Sequence, residues 1–81
     1  MWKEQNNHLQ QTFEFKNFSQ AFAFMTQVAL VSEKMNHHPE WSNCWNKVSI
    51  VLCTHSAGNT VTEEDRKLAT AIDAIYTNYK I

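Results

Sequence analysis

The chain has one glycine, Gly58, and one proline, Pro39, in 81 residues. A single glycine cannot build a glycine-rich phosphate-binding loop, which excludes nucleotide sites of that kind. It also leaves most turns to Asn, Ser and Thr. No repeat, low-complexity stretch or linker interrupts the sequence, so residues 1–81 read as one compact domain. The seven basic residues are scattered without a run of Lys or Arg, and the net charge is −1. That argues against a nucleic-acid surface built on phosphate contacts. No apolar stretch approaches the length of a membrane span, and "MWKEQNNHLQQ" carries no apolar leader segment. A soluble, cytoplasmic protein is expected. Cys44 and Cys53 are the two cysteines and read as lying on one strand, facing opposite sides, where a disulfide is geometrically implausible. Two reduced thiols fit a cytosolic protein.

Hydrophobic residues make up 43% of the chain, with five Phe, three Trp and two Tyr. Domains of this size bury only about 60% of the surface their unfolded chains expose, so part of the aromatic surface is expected to be covered by another subunit. "HLQQTFEF" alternates, with Leu9, Gln11, Phe13 and Phe15 on one side, as in a half-buried strand. "WKEQ" reads as a short strand joined to it through an "NNH" turn that contains His8. Asn17 with Gln20 gives a capping-box pattern, and Phe18, Phe22, Met25, Val28, Ala29, Ser32 and Met35 then recur at helical spacing. Pro39 is expected to stop this helix. "CWNKVSIVLCTH" reads as one strand, with Val48, Ile50, Leu52 and Thr54 towards the core and Trp45, Lys47, Ser49, Val51, Cys53 and His55 on a mixed face. "SAGNT" is a loop. Thr62 and Asp65 form a second N-cap pair, and Leu68, Ile72, Ile75 and Tyr79 mark a second helix. The fold class expected is α+β: an antiparallel sheet with two amphipathic helices packed on one face.

"EKMNHHPEW" sets two adjacent histidines, His37 and His38, at a helix exit, and His55 ends the strand that follows. Three imidazoles can hold zinc, but vicinal histidines diverge and no H-E-x-x-H or paired-cysteine framework accompanies them. They can equally be polar residues at element ends. A third reading is acid–base chemistry, since histidine exchanges protons near neutrality and a helix C-terminus favours the imidazolium. No Ser–His–Asp pattern or nucleophile elbow is visible, which argues against covalent catalysis.

The spacing of these residues resembles the pterin-4a-carbinolamine dehydratase family. That pattern is an acidic residue, three residues, His-His-Pro, five residues, an aromatic, nine residues, His, and an Asp about nine further on. Here it falls on Glu33, His37-His38-Pro39, Trp45, His55 and Asp65, flanked by "FKNFSQAFAFMTQVAL" and "TEEDRKLA". The resemblance covers essentially the whole chain. It implies dehydration of 4a-hydroxytetrahydropterin to the quinonoid dihydropterin, without metal or cofactor, in recycling of the pterin used by aromatic amino-acid hydroxylases. It further implies that His37 and His55 form the acid–base pair and that His38 binds and orients the pterin. Asn36, Cys53, Thr54 and Ser56 would line the ring. Glu33 is a candidate partner for His37, and Trp41 and Trp45 for the pocket wall, whereas Asp65 reads as a helix-start residue. Relatives usually carry one more helix before the Trp aligned with Trp2, and many have Asp at the place of Asn36. The resemblance implies homodimers or homotetramers, with no direct nucleic-acid or membrane binding. Relatives that act as a transcriptional dimerisation cofactor and as a RuBisCO assembly factor supply the alternative, a non-catalytic interaction module.

Overall fold

The structure is a computed structural model that describes residues 1–79. Its elements run β1 (Lys3–Gln5), β2 (His8–Glu14), α1 (Phe18–Met35), β3 (Glu40–Cys44), β4 (Lys47–Leu52), a 3-10 turn (His55–Ala57) and α2 (Glu63–Tyr76). The four strands form one antiparallel sheet in the order β1-β2-β4-β3. Leu9 and Phe13 of β2 and Val48, Ile50 and Leu52 of β4 are buried beneath the helices, while Gln10, Thr12 and Glu14 point the other way and stay exposed. That alternation is the one read from the sequence: one apolar face, two helices over it.

The β1–β2 hairpin turns on Asn6 and Asn7, both with positive φ (52° and 64°). Asn tolerates that region, and the type I′ turn, which matches strand twist, requires it at both central positions. His8 is not in this turn; it opens β2 opposite Gln5.

The second hairpin corrects the reading of one long strand from Cys44 onward. Cys44 ends β3, Trp45 and Asn46 form the turn, and Lys47 begins β4 opposite Cys44. The two cysteines therefore lie on different segments, Cys44 exposed and Cys53 half-buried, and both are free. The turn has none of the usual Gly or Asn-Gly signals, because Trp45 itself takes the left-handed conformation (φ 51°). Asn side chains hold it instead. Asn43 donates to the carbonyls of Trp45 and Lys47 (3.1 and 2.8 Å), and buried Asn46 donates to the Phe15 carbonyl (2.8 Å).

The cap residue of α1 is the expected one, since Asn17 accepts from the Gln20 backbone N–H (2.9 Å), but the Gln20 side chain reaches past it to accept from the Lys16 N–H (3.1 Å), so the capping box is not closed. Its buried face is Ala21, Phe24, Val28 and Ser32; of the stripe read from the sequence, Val28 and Ser32 are buried and Met25 and Met35 are half-buried against the core. Phe18, Phe22 and Leu30 are largely exposed, and Ala29 is exposed as well. The helix carries two overlapping apolar ladders about a quarter-turn apart, and periodicity alone does not say which one meets the sheet. Phe24 decides it, by packing against Phe13, Phe15, Tyr76 and Tyr79 with ring centroids 4.8–6.0 Å apart. α2 closes the core with Leu68, Ala69 and Ile72, and ends at Tyr76, leaving Tyr79 just beyond it but still against the core.

The exit from α1 positions the site. Asn36 takes the left-handed conformation (φ 53°, ψ 42°). Its N–H bonds to the Glu33 carbonyl (3.1 Å), and the His37 N–H reaches back to the Ser32 carbonyl (3.0 Å). This is a Schellman motif, and it ends the helix three residues before Pro39. Asn36, not the proline, is the stop.

Candidate active site

The end of α1, the start of β3, the segment after β4 and the first turn of α2 converge on a pocket of about 360 Å³. It is lined by Asn36, His37, His38, Pro39, Glu40, Val51, Cys53, Thr54, His55, Ser56 and Glu64. All seven residues singled out from the sequence for catalysis or binding border it. Trp41 and Trp45 do not: Trp41 is half-buried against the core, and Trp45 projects from its hairpin turn.

His37 is buried, and its orientation is set by α2. Its Nε2 lies 2.6 Å from Oδ1 of Asp65, which has no exposed surface. Oδ2 of Asp65 accepts from the Thr54 hydroxyl (2.8 Å) and from the Thr62 backbone N–H (2.8 Å). Burial alone would push the Asp65 carboxyl up. The hydrogen bonds from His37, Thr62 and Thr54, with the charge of His37, outweigh it and hold Asp65 below the ordinary carboxylate range. An ionised carboxylate only accepts, so Nε2 of His37 carries a proton and donates it. The Thr54 hydroxyl spends its proton on Asp65, which makes Thr62 the donor in the Thr54–Thr62 contact at 2.6 Å. Asp65 thus joins three segments of the chain while also closing the capping box of α2.

The other ring nitrogen of His37, Nδ1, faces Oε1 of Glu64 at 3.3 Å. His38 turns the opposite way and pairs with Glu33 through Nε2 (2.8 Å). Glu33 is therefore the partner of His38 rather than of His37. Both of these side chains are more than half exposed, so the pair is worth little in stability.

His55 does not end a strand. β4 stops at Leu52, Thr54 makes an isolated bridge to Thr60 (N–H to carbonyl, 2.8 Å), and His55 opens the 3-10 turn. Gly58 closes that turn at φ +83°, with open space where a Cβ would stand. The glycine is needed there for its backbone angle. Cys53 on the pocket wall has its thiol pushed up, first by burial and then by the negative charges of Asp65 and Glu40. It stays protonated at neutral pH. Among the described residues no group of three His, Cys, Asp or Glu is arranged to hold a metal ion.

Sequence reasoning assigned Asp65 to the helix start and missed its bond to His37. The only available signal was its place at a fixed distance from His55, which says nothing about direction. Glu64 was missed altogether, since a first-turn carboxylate looks like a response to the helix dipole.

Chemically, the pocket presents three imidazoles, one of them with a fixed proton position, beside hydroxyl, amide and thiol groups. That equips it for proton transfer to and from a small polar ligand.

The sequence model of the family described as pterin 4 alpha carbinolamine dehydratase matches residues 1–75. A protein of Synechococcus sp. (strain WH7803), provisionally named a pterin-4-alpha-carbinolamine dehydratase, is 50% identical over 91% of this chain and 78% of its own length. A protein of Prochlorococcus marinus (strain NATL2A) with the same provisional name is 50% identical over 91% and 77%. Among solved structures, a transcriptional coactivator/pterin dehydratase from Brucella melitensis superposes with a TM-score of 0.87 at 47% identity, over 91% of this chain and 80% of that one. A pterin dehydratase-like protein identified as a RuBisCO assembly factor in the alpha-carboxysome superposes with a TM-score of 0.74 at 26% identity, over 93% and 86%.

Proposed function

The chain belongs to the pterin 4 alpha carbinolamine dehydratase family, and from that premise we propose that it dehydrates 4a-hydroxytetrahydropterin to the quinonoid dihydropterin. The observation that carries the proposal is the shared pocket: His37, His38 and His55, drawn from two separate segments, open onto one cavity. His37 gives a proton to the 4a-hydroxyl, the carbon–oxygen bond breaks, and water leaves with the bonding pair. A ring-nitrogen lone pair forms the new C=N bond, and His55 takes the proton lost from nitrogen. His38 orients the ring, with Asn36, Cys53, Thr54 and Ser56 around it. The proton given by one imidazole is balanced by the one taken by the other, so the step needs no metal or redox cofactor.

Purified protein is expected to accelerate loss of water from enzymically generated 4a-hydroxytetrahydropterin. His55→Ala, at an exposed position, is expected to lower that rate by about a hundredfold or more with the fold intact by circular dichroism. A folded protein with no rate above buffer would sink the enzyme reading.

Homodimers or homotetramers in the cytoplasm are part of the same proposal. The exposed Phe18, Phe22 and Leu30 and the edge strands β1 and β3 support association. No helix of the described residues is long and apolar enough to cross a membrane. The same apolar residues, outside the pocket, favour a second reading as an interaction module. That reading predicts a complex in pull-downs that survives replacement of all three histidines.

A further inference from the structure

We infer that Glu64 is a positioning residue for His37: it holds the transferable proton on Nδ1 and releases it into the pocket. The inference rests on the dehydratase reading given above.

The two nitrogens of His37 have different fates. Nε2 is committed to the buried Asp65 at 2.6 Å and cannot reach a ligand without breaking that bond. Nδ1 is the one nitrogen left to exchange a proton, and Oε1 of Glu64 stands 3.3 Å from it. A carboxylate facing a bare nitrogen lone pair is repelled, whereas one facing Nδ1–H gains a charge-assisted hydrogen bond. Glu64 therefore makes a hydrogen bond only to the form of His37 whose Nδ1 carries a proton.

The surroundings single out Glu64 for this task. Its side chain is 65% exposed, whereas that of His37 is only 10% exposed. The carboxylate can thus withdraw into solvent as a substrate hydroxyl takes its place, and it lines the pocket itself. Among the described residues, Asp65 is the other charged group paired with His37, through the opposite nitrogen, and the remaining charged or titratable groups around the pocket make no ion pair with that ring. Glu33 pairs with His38, Asp65 takes Nε2, and Glu40, Cys53 and His55 line the wall. After the step, Nδ1 has given its proton to the departing water, and Glu64 returns to favour its replacement from solvent.

The test compares Glu64→Gln with Glu63→Gln in the full chain. Both remove one negative charge from the first turn of α2, but only Glu64 touches His37. At fixed neutral pH, the 15N signal of His37 Nδ1 is expected to move towards its unprotonated position in Glu64→Gln and to stay in place in Glu63→Gln. The kcat of Glu64→Gln is expected to fall about tenfold, the scale of one lost charge-assisted hydrogen bond, with KM nearly unchanged. Glu64→Asp is expected to recover part of both effects. An Nδ1 signal unmoved in Glu64→Gln, or moved equally in Glu63→Gln, overturns the inference, as does a moved signal with kcat untouched. Absence of dehydratase activity in the unmodified protein would instead refute the functional reading, and the nitrogen signals would still judge Glu64.

Discussion

Replacing Asp65 by Asn changes one atom type in a fully buried side chain and tests the network that orients His37. The carboxylate accepts three hydrogen bonds, from His37 Nε2 (2.6 Å), Thr54 Oγ1 (2.8 Å) and Thr62 N (2.8 Å). An amide oxygen turned towards Thr54 and Thr62 keeps both of those bonds in weaker, uncharged form. The amide nitrogen then faces Nε2–H, donor against donor, until His37 moves its proton to Nδ1 and presents the wrong tautomer. Hydrogen bonds to charged groups are worth about 1.5–3 kcal/mol and neutral ones about 1, so the change is expected to cost about 2–3 kcal/mol. For a domain of this size that is a fall in Tm of about 10–20 °C. The pH dependence follows from the lowered pKa of Asp65. The unfolded carboxyl titrates near about 3.9 and takes up its proton first on acidification. The stabilisation is therefore complete above about pH 5 and is lost as the pH falls below about 4 through the folded value. Urea melts of both proteins at a series of pH values, with dehydration rates at pH 7, supply the assay. The gap in stability is expected to be widest at neutral pH and to close in acid, with kcat about a hundredfold lower in the variant. Equal unfolding free energies at pH 7, or a gap that does not narrow in acid, would refute the network.

Three further outcomes can be checked on the same protein. Ser32 lies on the buried face of α1, and its hydroxyl has no partner among the described residues; Ser32→Ala is expected to stabilise by about 0.5–1 kcal/mol in urea melts. Asn36 is left-handed, so Asn36→Ala is expected to cost about 1 kcal/mol in thermal unfolding while Asn36→Gly costs little. Cys44 is exposed, whereas the Cys53 thiol is half-buried and pushed up; thiol titration with a charged disulfide reagent at pH 7.5 is expected to modify Cys44 well before Cys53.

The parts of the fold that were legible in the sequence are those in which local chemistry and periodicity agree. Alternation from Leu9 to Phe15 and from Val48 to Thr54, and the caps at Asn17 and Thr62, all appear where side-chain type alone implied them. The Trp45–Asn46 turn was hidden because a left-handed tryptophan is held by amides of residues that pair only once the hairpin exists. The stop of α1 was ascribed to the visible proline, although a left-handed Asn36 had already ended the helix. Positions round the pocket were legible through spacing, since His37, His38 and His55 recur in a known pattern. Their partners were not. Glu33 lies five residues before His38 and meets it through the left-handed exit of α1, whereas Glu64 lies 27 residues after His37 and meets it only because α2 packs beside that exit.

The central claim is that three histidines from two separate segments form one pterin site. Titrating a non-reactive pterin analogue while following the imidazole resonances tests it most directly. The account predicts saturable shifts of the His37, His38 and His55 rings with His8, at the start of β2 and outside the pocket, unchanged. Binding that leaves those three rings unmoved, or no binding by the folded protein, would contradict it.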